Sequence, residues 1–174
     1  MTLASVISTQ RLTLRRPDPS DLPVLTAFYM GPRSEFVGGP YTENQCFEKL
    51  AVLLGHWLIR GFGRYVIQLG DKPIGHVGPL CIDATKAPEL TWTLWDGTQE
   101  GNGYATEAAL AMRDHLLKDQ NWPLLEILVQ PANFASVRVA EKLGAALTEK
   151  PAPDWYSGCL TYDLTTACFA GASA

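Results

Sequence analysis

The chain has 174 residues, 47% hydrophobic and 18% charged, with a formal charge of −4 and a pI near 5.3. That length suits one domain over residues 1–174 with a single sizeable core, and no apolar run approaches the ~20 residues that span a bilayer, so a membrane protein is not expected. The acidic balance offers no clustered Lys and Arg footprint for nucleic acid. Met1 to Gln10 lack the positive region and long apolar stretch of a secretory signal, and the expected location is cytoplasmic. Cys46, Cys81, Cys159 and Cys168 are widely spaced, without Cys-x-x-Cys or a His at ligand spacing, which argues against a metal site or a disulfide framework.

In chain order, Arg11 to Arg16 alternates as a short strand, and Asp18-Pro19 supplies an N-cap and first-turn proline for a helix through Tyr29. Thr42-Glu-Asn-Gln45 has capping-box spacing and opens a second helix that ends at Gly61, with Phe47, Leu50, Leu54, Trp57 and Leu58 assigned to one face. Arg64 to Leu69 and Ile74 to Ile82 flank the turn Gly70-Asp-Lys-Pro73, and Glu89 to Trp95 adds a third β segment, which together predict an antiparallel meander. Helix spacing resumes at Ala105, Ala108, Ala109, Met112 and Leu116, followed by an apolar strand from Leu124 to Val129. A helix from Asn133 to Leu143 stopped by Gly144 comes next, then two closing strands within 145–150 and 159–165 and a small-residue tail, 167–174, expected to be flexible.

Gly101 and Gly103 fall where the strand through Trp95 gives way to the helix near Tyr104. A glycine-rich strand-to-helix turn leaves backbone N–H groups unpaired at the positive end of a helix dipole, a natural seat for a pyrophosphate. A dinucleotide-binding oxidoreductase also uses such a turn, but its third glycine is Thr106 here, and the strand ending in Val129-Gln130 lacks the ribose-binding acid.

The ordered set Thr9-Gln-Arg-Leu-Thr-Leu-Arg15, Gly61-Phe-Gly63, Ile74-Gly-His-Val-Gly78, Glu89-Leu-Thr-Trp92, Gln99 to Glu107 and Asn133 to Gly144 resembles the GNAT superfamily of N-acetyltransferases. The closer likeness is to its ribosomal-protein alanine N-acetyltransferase branch, over roughly residues 8–165. The resemblance implies an α/β fold, a mixed twisted sheet of about six or seven strands flanked by about four helices. It implies acetyl-CoA as cosubstrate, bound by Glu100, Gly101, Asn102, Gly103, Tyr104, Ala105 and Thr106, with Asn133 and Ser136 near pantetheine. A backbone N–H of Leu94 or Trp95 would meet the thioester oxygen. Glu100 stands where the superfamily often has Arg or Gln, and Ala140 where it often has a Tyr general acid, which leaves Ser136 for that role.

The residues support a chemistry in less detail. An α-amino group of pKa ~8 or a Lys of pKa ~10.4 is mostly protonated at neutral pH, so a base is useful. Glu89, at the head of the strand that feeds the glycine loop and beside Trp92, is the first choice, with His76 the alternative. Ser136 could protonate the leaving thiolate or serve in capping near Asn133. Phe36, Tyr41, Trp57, Phe62, Trp155 and Tyr156 could line an acceptor pocket, but most are expected in the core because large aromatics bury well. The expected reaction is direct attack by a primary amine, on a small molecule or a protein N-terminus, in a ternary complex. A non-catalytic acyl-CoA sensor is the alternative.

Overall fold

The computed structural model describes residues 3–168. Eight strands form one sheet: β1 (Val6–Ser8), β2 (Thr13–Arg15), β3 (Tyr65–Leu69), β4 (Lys72–Leu80), β5 (Glu89–Leu94), β6 (Leu125–Val129), β7 (Ala146–Leu147) and β8 (Leu160–Leu164), in the order β1-β2-β3-β4-β5-β6-β8-β7. All neighbours are antiparallel except β5 and β6. The count exceeds the expected six or seven by β1, a three-residue strand outside the predicted segments, whereas β7 falls within the expected 145–150 but keeps only two residues. Alternation over so few positions carries no periodic signal.

Four α-helices lie on the two faces: α1 (Leu22–Tyr29), α2 (Glu43–Arg60), α3 (Tyr104–Asp114) and α4 (Phe134–Lys142). Capping chemistry sets their starts. Asp18 and Asp21 form a reciprocal capping box around the 3-10 turn Pro19–Asp21 that leads into α1. Thr42 and Gln45 do the same for α2, which ends at Gly61 in a left-handed conformation (φ 75°). The buried face of α2 is offset by one residue from the expected one. Cys46, Leu50, Leu53 and Trp57 are buried, whereas Phe47 and Leu58 are 63% and 89% exposed. Both sets have helical spacing, and only packing decides between them.

A larger core joins Leu14, Ile67, Val77, Leu90 and Ile127 of the sheet to α3 and α4 through Ala108, Met112, Val139 and Ala140. A smaller one packs Leu25, Phe28 and Tyr29 of α1 and Leu50 and Leu53 of α2 on Val66 and Trp95. The helix α3 makes the crossover between parallel β5 and β6, as a parallel pair requires. Those two strands share one register pair, Glu89 with Glu126, fastened by the Glu126 N–H to the Pro88 carbonyl at 3.0 Å. Beyond that pair they diverge, and the sheet opens toward their C-terminal ends. All four cysteines are free thiols. Thr166–Cys168 form a 3-10 turn; the remainder of the expected tail, 169–174, lies outside the described residues.

Candidate active site

A cleft of about 480 Å³ enters the sheet where β5 and β6 part. Its floor is Glu89 to Thr93 on one side and Ile127 to Gln130 on the other. Asn133 and Ser136 at the start of α4 close one end. Tyr29, Phe36, Val37, Tyr41, Lys49 and Val52, together with Trp155 and Tyr156, wall the other. Thus four of the expected aromatics, Phe36, Tyr41, Trp155 and Tyr156, reach the cleft, whereas Trp57 and Phe62 pack with the larger core.

Glu89 sits at the fork of β5 and β6. Burial raises its carboxyl to about 7; Arg64 pulls it back and Glu126 pushes it further up. His76 of β4 faces the same cleft but is 1% exposed. Its Nδ1 is 3.1 Å from the Trp95 indole N–H, which can only donate, so Nδ1 accepts and the ring carries its proton on Nε2. Burial and the Arg64 charge hold its pKa well below the usual histidine range. His76 is therefore a neutral, anchored ring and a weak proton acceptor.

Strand pairing decides which amides face the opening. The Trp95 N–H donates to the Ile74 carbonyl at 2.7 Å. With Gly75 opposite Leu94 and His76 opposite Thr93, bonding toward β4 falls on Thr91, Thr93 and Trp95. The amides of Trp92 and Leu94 point the other way, toward the gap left by β6. Of the two expected donors, Trp95 is committed within the sheet. Leu94 keeps the correct orientation, and Trp92, which also lines the cleft, is a position that sequence reasoning missed.

At the far end of β5 a 3-10 turn, Gly97–Gln99, capped by Asp96, leads into Glu100 to Gly103. Gly101 and Gly103 adopt φ of 77° and 80°, a region costly for other residues. Gly103 is the N-cap of α3 and offers no side-chain cap, so the first amides of α3, on Tyr104, Ala105 and Thr106, have no capping oxygen. Glu100 is ion-paired with Arg33, which also donates to the carbonyls of Trp95 (2.8 Å) and Leu94 (3.0 Å). That pairing draws its negative charge away from the loop amides. Arg11 stands on the other side, over the Tyr104 ring at 4.5 Å, bonded to Glu107 (2.6 Å) and to the Asn102 carbonyl (3.1 Å). Asn102 uses its side-chain amide within the loop, on the carbonyls of Gln99 and Glu100.

Asn133 Oδ1 accepts the Ser136 N–H at 3.1 Å and so caps α4, which leaves the Ser136 hydroxyl at the cleft surface. Ala140, one turn further on, is wholly buried in the core.

Residues 11–146 match the family described as the acetyltransferase (GNAT) domain. The chain belongs to this GNAT acetyltransferase family. It is accordingly an acyltransferase, and the dinucleotide-binding reading falls away. A solved acetyltransferase from Agrobacterium tumefaciens str. C58 is 35% identical, with 95% of this chain and 97% of that one aligned at a TM-score of 0.85. A GNAT-family acetyltransferase from Bordetella pertussis, 23% identical over 93% and 100% of the two chains, has a TM-score of 0.76. RimL, the ribosomal L7/L12 alpha-N-protein acetyltransferase, aligns over 92% and 93% at 20% identity and 0.75. The latter two likenesses are of fold. YkkB of Bacillus subtilis strain 168 matches at 48% identity over 44 residues, and this chain spans 26% of that curated relative.

Within this GNAT chain, Arg11, Arg33 and Arg64 shape the charge around the cleft, a place that the sequence reading assigned to none of them. Only Arg64 left a signal in the sequence. It keeps step with the inward-facing Val66, and a charge in the inward phase of a strand is unusual.

Proposed function

We propose that the protein is an acetyl-CoA-dependent N-acetyltransferase in which a primary amine attacks the thioester directly in a ternary complex. The observation that carries this reading is Glu89, a carboxyl raised to about 7 at the base of the fork between β5 and β6. A base of that strength takes a proton from an ammonium near neutral pH, directly or through one water.

Each neighbouring element has a place in the reaction. The α3 amides after Gly103 hold the CoA pyrophosphate, with Arg11 adding positive charge and Arg33 offsetting Glu100. Pantetheine runs through the gap beside Asn133. The Leu94 or Trp92 N–H faces the thioester oxygen as negative charge develops there. The amine nitrogen forms its bond to the acetyl carbon and passes a proton to Glu89; the carbon–sulfur bond breaks, the departing thiolate takes a proton from the Ser136 hydroxyl, the hydroxyl regains one from solvent, and Glu89 returns its own to solvent. The acceptor is a small molecule or a protein N-terminus, and the reading places the enzyme in the cytoplasm.

Calorimetric titration with acetyl-CoA, with NAD as control, followed by thiol release in the presence of amines, tests the reading. Saturable acetyl-CoA binding and amine-dependent release that Glu89→Gln slows by roughly 100-fold or more are expected. Heat with NAD but none with acetyl-CoA would overturn it. Tight acetyl-CoA binding without release across all amines would favour an acyl-CoA sensor.

A further inference from the structure

Arg64 follows the Gly61–Gly63 turn, one residue before β3, and lines the same cleft as Glu89. Its backbone is fixed from two sides. The Arg64 carbonyl accepts the Trp57 indole N–H at 3.0 Å, and a Cβ on Gly78 of β4 would meet the Arg64 Cα at 3.0 Å. Only a glycine permits that approach, at φ +139°. The side chain then follows the phase of Val66 onto the face covered by α1 and α2.

The residue is only partly exposed, its guanidinium faces the cleft, and among the described residues its side chain makes no hydrogen bond or ion pair. A guanidinium has five donors and a charge it cannot lose. Enclosing one without an anion is costly, so such a group is half of a pair whose other half comes from outside. Glu89 is not that half. The two feel each other's charge across the cleft but stand beyond ion-pair distance, 4.0 Å. The loop around Gly103 already provides for the CoA phosphates at the other end of the opening.

We propose that the acetyl acceptor is a small amine bearing its own carboxylate, of the α-amino-acid type with an apolar or aromatic side chain, its carboxylate on Arg64 and its amino group toward Glu89. The inference rests on the N-acetyltransferase reading and narrows its acceptor. The separated cation and carboxylate of the cleft are opposite in charge to the carboxylate and ammonium of one zwitterion. Tyr29, Phe36, Tyr41 and the stacked Trp155 and Tyr156 offer the apolar surface for its side chain. Lys49, its Nζ 4.4 Å above the Tyr41 ring, adds a second cation. Polyamines and aminoglycosides would set like charges against Arg64 and Lys49.

The experiment compares phenylalanine, leucine and methionine with phenethylamine, isoamylamine and 3-(methylthio)propylamine, and with spermidine, by thiol release from acetyl-CoA. In parallel, N-acetyl-phenylalanine is titrated calorimetrically into the protein saturated with CoA. Wild type is expected to favour the carboxylate-bearing member of at least one pair by on the order of 100-fold in kcat/KM, and to bind N-acetyl-phenylalanine saturably. Arg64→Met loses both preferences while its Kd for acetyl-CoA, which also reports folding, stays unchanged; Arg64→Lys recovers part of them. If Arg64 serves only to tune Glu89, Arg64→Met moves the pH profile and leaves the paired ratios alone, which overturns the proposal. Equal rates within every pair, a preference for spermidine, or no binding of N-acetyl-phenylalanine with acetyl-CoA binding intact also overturn it. Loss of acetyl-CoA binding by the wild type would instead sink the N-acetyltransferase reading.

Discussion

Burial acts on Glu89 and His76 in opposite directions because it penalises whichever form is charged: it lifts the carboxyl to about 7 and drives the imidazole well below its usual range. Glu89 ionises as pH rises through 7 and becomes a base. Wild-type kcat/KM should therefore show an acid limb near pH 7 that Glu89→Gln removes, measured by thiol release between pH 5 and 9. An acid limb that persists in the variant would point to another base. The same raised pKa has a stability consequence. It favours the folded state below the unfolded value of 4.5, and that advantage is lost as pH climbs to about 7. At pH 8 Glu89→Gln should be more stable than wild type by up to ~3 kcal/mol, and the gap should close near pH 4, as urea unfolding would show. Ser136→Ala should lower kcat by roughly 100-fold with little change in Kd for acetyl-CoA, because Asn133 caps α4 through the Ser136 backbone, which alanine retains. The position of Glu89, at a strand head among aromatics, was legible in the sequence. Arg64 left only its inward phase as a signal, because the groups that define its surroundings come from Tyr29 and β4, distant in the chain.

At the scale of elements, local chemistry carried the reading where an element depends on its own residues. The Thr42 capping box and Gly61 fix both ends of α2. What the sequence left open was the rotation of α2 about its axis, since Phe47-to-Leu58 and Cys46-to-Trp57 are both helical stripes and only the sheet chooses between them. The glycine loop shows the same division. Its position follows from Gly101 and Gly103, whereas the neutralisation of Glu100 depends on Arg33, in the turn Pro32–Val37. Gly103→Val should weaken acetyl-CoA binding by at least about tenfold, through strain at a φ of 80° and a side chain close to the Arg11 guanidinium, with the far-ultraviolet spectrum unchanged. Arg11→Ala removes a charge beside the loop and the guanidinium's bond to Glu107, while the Thr9 hydroxyl and the residue 11 N–H still tie Glu107 to the β1–β2 hairpin. It should weaken acetyl-CoA more at low than at high ionic strength; a salt-independent loss would assign Arg11 to structure alone.

At the scale of the whole molecule, the fork between β5 and β6 unites fold and site. A sheet that antiparallel pairing holds together elsewhere has one parallel seam, and that seam is joined only at Glu89 and Glu126. Backbone amides beyond it that point toward β6 have no strand to meet, while those pointing toward β4 are paired. Hydrogen exchange should read this alternation directly. In the free protein the amides of Trp92 and Leu94 should exchange quickly, and those of Thr93 and Trp95 slowly. If acetyl-CoA lies in the fork as a surrogate strand, it should slow Trp92 and Leu94 selectively. Its binding energy should also appear as stability, about 2.7 kcal/mol at 100 times Kd, a rise in Tm of very roughly 5–10 °C. Slow exchange at Trp92 and Leu94 without ligand would mean that the strands close in solution, and the cosubstrate would then need another entrance. Protection confined to residues 100–106 would place the phosphates on α3 but leave the reacting end outside the sheet, separating the glycine loop from Glu89.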